Sequence, residues 1–170
     1  NGDVTVATKC ALVCENNRTM NTNKTLATNK TFPTVTVVGA GLAGSEAALQ
    51  LAMRGVAVRL VEMRPKRQTD VHKTADPAEL VCSNSLKSKD ATSAAGSLKY
   101  ELATMGSQVL SCAFETEVAA GGALAVNRAE FSAHVKHLLE SFDNIELCEQ
   151  ECTKNPQGPA IIATGPLTDA

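Results

Sequence analysis

Three glycines with the spacing Gly-x-Gly-x-x-Gly, namely Gly39, Gly41 and Gly44, are the residues of this sequence best suited to hold a ligand. In such a turn the first glycine permits a tight bend, the second lets the backbone approach a pyrophosphate, and the third lets a helix pack closely on a strand. The N–H groups that begin the following helix would face the phosphate oxygens. Glu62 ends the next strand pattern, where a carboxylate accepts a hydrogen bond from a ribose hydroxyl and disfavours a 2′-phosphate. The pattern predicts a site for a dinucleotide such as FAD or NAD.

Cys82 is the residue best suited to covalent or acid–base chemistry. It precedes Ser83, Asn84 and Ser85 and lies close to Lys87 in sequence, so that hydrogen-bond donors and a positive charge surround the thiol. Such surroundings stabilise a thiolate, which is the reactive form of cysteine. The residues alone leave two alternatives open, a nucleophile or acid–base group and a buried, inert cysteine.

The segment from Arg64 to Lys89 is locally basic, with six basic and three acidic residues. An excess of positive charge fits contact with a polyanion. It fits a solvated surface loop equally well. The segment therefore indicates a candidate surface for a nucleic acid without identifying one.

Small residues occur at two further places where a ligand would need close approach of the backbone. Residues Ala120–Val126 include Gly121 and Gly122, and we expect too little side chain there for a rigid packed face. A flat ligand or a simple glycine bend would suit this stretch. Thr164 and Gly165 follow a short strand pattern, at the position where open α/β sheets bind ligands.

The remaining cysteines raise the alternatives of a metal site and of disulfides. The pairs Cys10/Cys14 and Cys148/Cys152 have three-residue gaps, whereas zinc sites more often have two-residue gaps, so we predict free thiols and no metal. An even cysteine count and three Asn-x-Thr sequons also fit a secreted, disulfide-linked protein. However, a Thr- and Asn-rich tract produces such sequons by composition, and residues 1–16 lack the apolar segment of a signal peptide. We therefore predict a cytoplasmic protein.

The elements that must position these residues alternate between strand and helix patterns. Thr34–Val38 is a β-branched strand pattern, Ser45–Arg54 a helix pattern and Val56–Val61 a second strand pattern, which together predict a parallel βαβ unit. Residues 64–95 show no sustained period, and we expect a long functional loop there. Later patterns predict helices around Leu98–Met105 and after Asn127, and short strands at Ile145–Leu147 and Ala160–Ala163.

Length and composition limit the classes of protein to which this chain can belong. The chain has 170 residues, 44% of them hydrophobic, and a formal net charge of -2, which suits one soluble domain and argues against binding nucleic acid through overall charge. No apolar run approaches the roughly 18 residues of a membrane helix, so we predict no membrane partner. Residues 1–33 are polar and predicted to be a disordered leader, with Asn1 and Met20 both open as the true start. Residues 34–170 are predicted to be the domain.

Five stretches resemble the amino-terminal part of the folate- and FAD-dependent tRNA (uracil-5-)-methyltransferase family. The resemblance runs from about Val35 to Ala170, and its most specific piece is Cys-Ser-Asn-Ser-Leu at 82–86. Asn127 stands where the family pattern leads us to expect Asp. The five stretches are Val37–Ala48, Glu62–Pro65, Ala78–Leu86, Gly121–Val126 and Ile161–Thr168.

This resemblance implies an α/β, Rossmann-like FAD-binding domain with a parallel sheet that is incomplete at the C-terminus. It implies a bacterial flavoprotein that methylates C5 of a T-loop uridine in tRNA, with a methylene group from methylenetetrahydrofolate reduced through FAD and NAD(P)H. Cofactor contacts are implied for the following residues: Gly39, Ala40, Gly41, Leu42, Ala43, Gly44, Glu62, Arg64, Gly121, Gly122, Thr164 and Gly165.

The resemblance also implies a role for Cys82. Uracil C5 becomes nucleophilic when a thiolate adds to C6, and a base must later remove the C5 proton. Two cysteines share these tasks in the family, and Cys82 matches one of them, so its role as nucleophile or base stays open. The second cysteine is expected beyond Ala170. The alternatives are the related tRNA-uridine carboxymethylaminomethyl-modifying flavoproteins and a non-catalytic FAD- or NAD-binding fragment.

Overall fold

The computed structural model describes residues 32–167. The predictions for residues 1–31 of the leader, including the cysteine pair Cys10/Cys14, lie outside the described residues. Residues 32–82 and 128–167 form one compact unit, and residues 83–127 form another. We refer to them as the parallel-sheet unit and the antiparallel-sheet unit.

Residues 32–167 contain seven strands and four α-helices. The strands are β1 (Val35–Val38), β2 (Val58–Glu62), β3 (Ser85–Ser88), β4 (Glu117–Val118), β5 (Ala123–Val126), β6 (Ile145–Glu149) and β7 (Ala160–Ile162). The helices are α1 (Leu42–Met53), α2 (Ala94–Thr104), α3 (Gln108–Glu115) and α4 (Arg128–Glu140), with a short 3-10 helix at Gly165–Leu167.

The parallel-sheet unit has four strands in the order β6-β2-β1-β7, and all the neighbouring strands are parallel. The predicted βαβ unit is β1-α1-β2, so the α/β fold class is confirmed. Strand β2 begins at Val58, two residues later than predicted, because Val58 is the residue paired with Val35 at the start of β1. Parallel pairing brings the carboxyl ends of β1, β2 and β7 to one edge of the sheet.

The core of this unit lies between the sheet and helices α1 and α4, which contact each other. Val37 of β1, Leu60 of β2 and Leu49 of α1 are completely buried. Phe131 and Val135 of α4, the helix predicted after Asn127, are also completely buried. Burying side chains of this size stabilises the fold by about 1.5–3 kcal/mol each. The edge that carries the glycine turn is thus built on a packed, rigid core.

The antiparallel-sheet unit has three strands in the order β3-β5-β4, together with α2 and α3. Two predictions were wrong here. The expected long loop is interrupted by β3, and the stretch expected to lack a packed face is β5, in which Leu124, Ala125 and Val126 are buried. Both errors have the same physical cause. Pairing between β3 and β5, which are distant in sequence, creates strands whose own residues show no alternating apolar pattern.

None of the helices within residues 32–167 is both long enough and apolar enough to cross a membrane.

Candidate functional site

The predicted glycine turn lies between the end of β1 and the start of α1, and its glycines have different physical roles. Gly39 has a φ of +97°, and a Cβ on it would lie 2.6 Å from the carbonyl oxygen of Ala163. A Cβ on Gly44 would lie 1.7 Å from the carbonyl oxygen of Gly39. A Cβ on Gly41 would have no described atom within 4 Å beyond its chain neighbours. Packing therefore requires Gly39 and Gly44, whereas Gly41 leaves open space for a ligand to approach the backbone.

Gly41 is also the N-cap of α1, and no side chain of the described residues caps this helix end. Leu42 and Ala43, which begin the helix, are exposed. The first N–H groups of a helix have no partner within the helix, and together they carry a partial positive charge. This end of α1 therefore has the form of a phosphate-binding helix terminus.

Glu62, the last residue of β2, holds the glycine turn by a hydrogen bond to its backbone. Its Oε2 accepts a 2.8 Å hydrogen bond from the backbone N–H of Ala40, and its Oε1 accepts from Nε of Arg64, also at 2.8 Å. Burial raises the pKa of Glu62, but the hydrogen bonds from Arg64 and Ala40 outweigh it, so the pKa lies below its usual value. The carboxylate is therefore ionised at neutral pH, as the predicted ribose contact requires.

Arg64 is held between two carboxylates. Its side chain is only 2% exposed, its Nε lies 2.8 Å from Oε1 of Glu62, and its Nη1 lies 3.1 Å from Oε2 of Glu79. Glu79 in turn accepts hydrogen bonds from the backbone N–H groups of Lys73 and Thr74. Arg64, a predicted cofactor contact, therefore lies directly beside Glu62. Glu79 is a site residue that the sequence analysis missed, although it lies inside the Ala78–Leu86 stretch.

The loop after β2 also contacts the turn through its backbone. Ala78 is fully buried with a φ of +54°, and its N–H donates a 2.8 Å hydrogen bond to the carbonyl oxygen of Ala40. The hydroxyl of Ser45 donates to the same oxygen at 3.2 Å. The peptide groups on both sides of Ala40 are therefore fixed. A small surface depression lies beside this point, lined by Ala40, Glu62, Arg64, Ala75, Pro77, Leu147 and Glu149.

The end of β7 completes this edge of the sheet. The N–H of Ala163 donates a 2.8 Å hydrogen bond to the carbonyl oxygen of Val38, and Thr164 and Gly165 follow as exposed residues. A Cβ on Gly39 would lie 3.1 Å from the Cα of Thr164. The structure therefore brings Thr164 next to the glycine turn, with Gly165 the following residue in the chain.

Two predicted cofactor residues lie elsewhere in the fold. Gly121 and Gly122 belong to the antiparallel-sheet unit, in the exposed turn that joins β4 to β5. Gly121 has a φ of +60°, a backbone conformation that favours glycine. The bend itself explains Gly121 structurally, and the contact of both glycines with a cofactor stays a prediction.

Cys82 is an exposed, free thiol at the end of the loop that follows β2. The thiol of Cys82 is therefore not buried, and its reactivity stays a prediction. Cys112 is buried in α3, whereas Cys148 and Cys152 are free thiols that are partly or fully exposed. Within residues 32–167, no group of three or more His, Cys, Asp or Glu side chains is arranged to hold a metal ion.

Several basic residues of the segment from Arg64 to Lys89, for which the sequence leaves both polyanion contact and a solvated loop open, have carboxylate partners. Arg64 pairs with Glu62 and Glu79, Arg67 pairs with Glu151, and Lys89 pairs with Glu117. The local positive charge of this loop is thus partly neutralised within the fold. Lys66, Lys73 and Lys87 are exposed.

A parallel β1-α1-β2 unit, with a glycine turn braced by a carboxylate at the end of β2, defines an α/β protein of the Rossmann-like dinucleotide-binding class. The sequence profile of the family described as "Glucose inhibited division protein A" matches residues 34–168. The chain therefore belongs to the glucose inhibited division protein A family.

The similar curated proteins include two named "Methylenetetrahydrofolate--tRNA-(uracil-5-)-methyltransferase TrmFO". The protein from Bacillus licheniformis is 55% identical over 135 residues, and the one from Bacillus cereus strain Q1 is 55% identical over 134 residues. Each alignment covers 79% of this chain but only 31% of the relative, so the chain spans about a third of the length of these proteins. The solved structure of the GidA-related protein from Thermus thermophilus is similar at 24% identity and a TM-score of 0.36, over 66% of this chain and 36% of that chain.

Proposed function

We propose that the full-length protein is an FAD-dependent tRNA (uracil-5-)-methyltransferase that takes its one-carbon group from methylenetetrahydrofolate. The observation that carries this proposal is 55% identity to relatives named for that reaction, over a segment that includes the glycine turn and Cys82. NAD(P)H is the proposed source of electrons, and the cytoplasm, where tRNA is modified, is the proposed location.

The glycine turn and its neighbours fit FAD. The open space at Gly41 and the uncapped start of α1 suit the pyrophosphate, and ionised Glu62 suits a ribose hydroxyl. The small depression beside Glu62, with Pro77 and Leu147 in its wall, is the proposed direction in which the adenosine end extends from the ribose. When bound, FAD would supply the electrons that reduce the transferred methylene group. Thr164 and Gly165 are proposed to approach the cofactor from the end of β7.

Cys82 is proposed to act on the uracil ring. Its exposed thiol can reach a macromolecular substrate, which a buried thiol cannot. A thiolate that adds to uracil C6 makes C5 a nucleophile toward the methylene carbon, and a thiolate acting as a base removes the C5 proton. Cys82 is proposed to perform one of these two steps. The exposed Lys66 and Lys73 on the same loop are suited to contact tRNA phosphates.

The proposal is tested by tracing the methylene carbon from methylenetetrahydrofolate into tRNA. Full-length protein is incubated with FAD, NADPH or NADH, tRNA that lacks 5-methyluridine, and methylenetetrahydrofolate labelled at its methylene carbon. We expect label in 5-methyluridine at one position of the T-loop, and none when FAD is removed. A parallel incubation also contains glycine as the source of a carboxymethylamino group, and formation of a carboxymethylaminomethyl-type uridine there would support the related flavoproteins. Flavin-loaded protein that modifies no uridine would support a non-catalytic FAD-binding protein.

A further inference from the structure

Glu79 is a nearly buried carboxylate whose hydrogen bonds organise the loop after β2. Its side chain is 12% exposed. Its Oε1 accepts a 2.9 Å hydrogen bond from the N–H of Lys73, and its Oε2 accepts from the N–H and the hydroxyl of Thr74 at 3.2 and 3.0 Å. The carboxylate therefore closes residues 73–79 into a compact turn.

Through Arg64, Glu79 reaches the residue proposed to bind ribose. One edge of the buried guanidinium contacts Glu79, and its Nε contacts Glu62, which in turn accepts from the N–H of Ala40. A guanidinium that is held at two ends has a fixed orientation, because its donors lie in one plane. Glu79, together with the carbonyl oxygen of Thr74, thus holds one end of the Arg64 guanidinium, and Arg64 holds Oε1 of Glu62.

A second connection runs through the backbone. Ala78, the residue before Glu79, donates its N–H to the carbonyl oxygen of Ala40. Ala78 has a positive φ, which a residue with a side chain adopts only when its surroundings enforce it. The hydrogen bonds of Glu79 are part of those surroundings. Glu79 is thus linked to both sides of Ala40, the middle residue of the first Gly-x-Gly, through Arg64 and Glu62 on one side and through Ala78 on the other.

We propose that Glu79 is a positioning residue for the FAD site, acting on Glu62 through Arg64 and on the glycine turn through Ala78. It does not itself contact the cofactor. This inference rests on the proposed binding of FAD at the turn. It adds a residue that lies 17 positions after the strand-end glutamate and outside the Gly-x-Gly-x-x-Gly pattern.

The test compares FAD affinity in full-length variants, measured by quenching of flavin fluorescence. Glu79→Gln keeps the shape of the side chain and removes its charge, whereas Glu79→Asp keeps the charge and shortens the side chain. We expect Glu79→Gln to weaken FAD binding about tenfold and Glu79→Asp to weaken it less, because the ion pair with Arg64 carries the effect. Glu140→Gln, at an exposed position of α4, is the matched control and should bind FAD as the wild type does.

A double-variant cycle separates positioning from simple loss of structure. Because Glu79 acts partly through Glu62, adding Glu79→Gln to Glu62→Gln should weaken FAD binding less than the about tenfold that Glu79→Gln causes alone, and the remaining effect measures the path through Ala78. The inference is overturned if Glu62→Gln weakens binding while Glu79→Gln binds normally, or if the two effects multiply in full. If Glu62→Gln itself leaves FAD affinity unchanged, the proposed FAD site is wrong and the inference falls with it.

Discussion

Replacing Gly41 by Val should abolish FAD binding and leave the fold intact. A Cβ at Gly41 meets no described atom within 4 Å beyond its chain neighbours, so the space that the side chain enters is the space assigned to the pyrophosphate. Gly41 has φ -71° and ψ -168°, an extended conformation that Val adopts without strain. The stability cost should stay within about 1 kcal/mol, which is the typical cost of losing a favourable N-cap residue.

Gly44→Ala provides the contrast, because its added Cβ would lie 1.7 Å from the carbonyl oxygen of Gly39. Ordinary contacts of this kind begin at 3.4 Å, so the helix and the turn would have to separate. Overpacking of this kind costs about 1–3 kcal/mol, and sometimes more. Gly44→Ala should therefore lower the melting temperature of the flavin-free protein by more than Gly41→Val does.

The assay uses full-length protein and measures two quantities for each variant. Flavin absorbance per chain and the Kd for added FAD report binding, and circular dichroism of the flavin-free form reports stability, since bound FAD would itself raise the melting temperature. For Gly41→Val we expect at least a hundredfold loss of FAD affinity, equivalent to about 2.7 kcal/mol. Normal flavin content in Gly41→Val would refute the placement of the phosphates at this turn.

Three further predictions concern the thiol, the strand-end carboxylate and the leader. Cys82→Ala in the full-length enzyme should retain FAD, tRNA binding and a normal melting curve but lose methyl transfer. Cys112→Ala is the control and should retain turnover. Methylation at the wild-type rate by Cys82→Ala would contradict the catalytic role. The pKa of Glu62 is lower in the folded state than in the unfolded state. Its stabilising contribution is therefore present above the unfolded-state pKa and is lost as pH falls through the folded-state pKa. A Glu62→Gln variant should thus lose less stability in acid than the wild type, as measured by thermal melts from pH 7 to 3. Deleting residues 1–33, which are predicted to offer no apolar face, should leave melting temperature and flavin content unchanged, and a large loss of either would show that this segment packs on the domain.

The part of the fold that could be predicted is the part whose signals are local. Strand β1, the glycine turn and helix α1 occupy adjacent residues, and each shows its own periodicity or spacing. Gly55, with a φ of +75°, ends α1 in the left-handed conformation expected for a glycine at that position. Glu62 was predictable for the same reason, because it ends the second strand of the same unit.

The part that could not be predicted depends on contacts between distant residues. Helix α2 shows this most clearly, since the Leu98–Met105 spacing predicts a helix but not which face is buried. Leu98 and Met105 are 56% and 66% exposed, whereas Lys99 is buried and donates hydrogen bonds to the carbonyl oxygens of Ser88 and Ala95. Burial lowers the pKa of Lys99. A buried lysine that satisfies backbone carbonyls has no periodic signature.

Glu79 was missed for a related reason. A single glutamate in an irregular segment carries no sequence signal of its own, and its role appears only when the fold brings Arg64 and the N–H groups of Lys73 and Thr74 around it. The exposure of Cys82 likewise could not be read from its neighbours, which are compatible with both an exposed and a buried thiol.

The most direct test of this account is a crystal structure of the full-length protein with FAD bound. We expect a ribose hydroxyl within about 2.6–3.2 Å of a Glu62 carboxylate oxygen. We also expect the pyrophosphate against the backbone at Gly41, in front of the N–H groups of Leu42 and Ala43. FAD bound at another edge of the sheet, or with its ribose hydroxyls away from Glu62, would contradict the central claim.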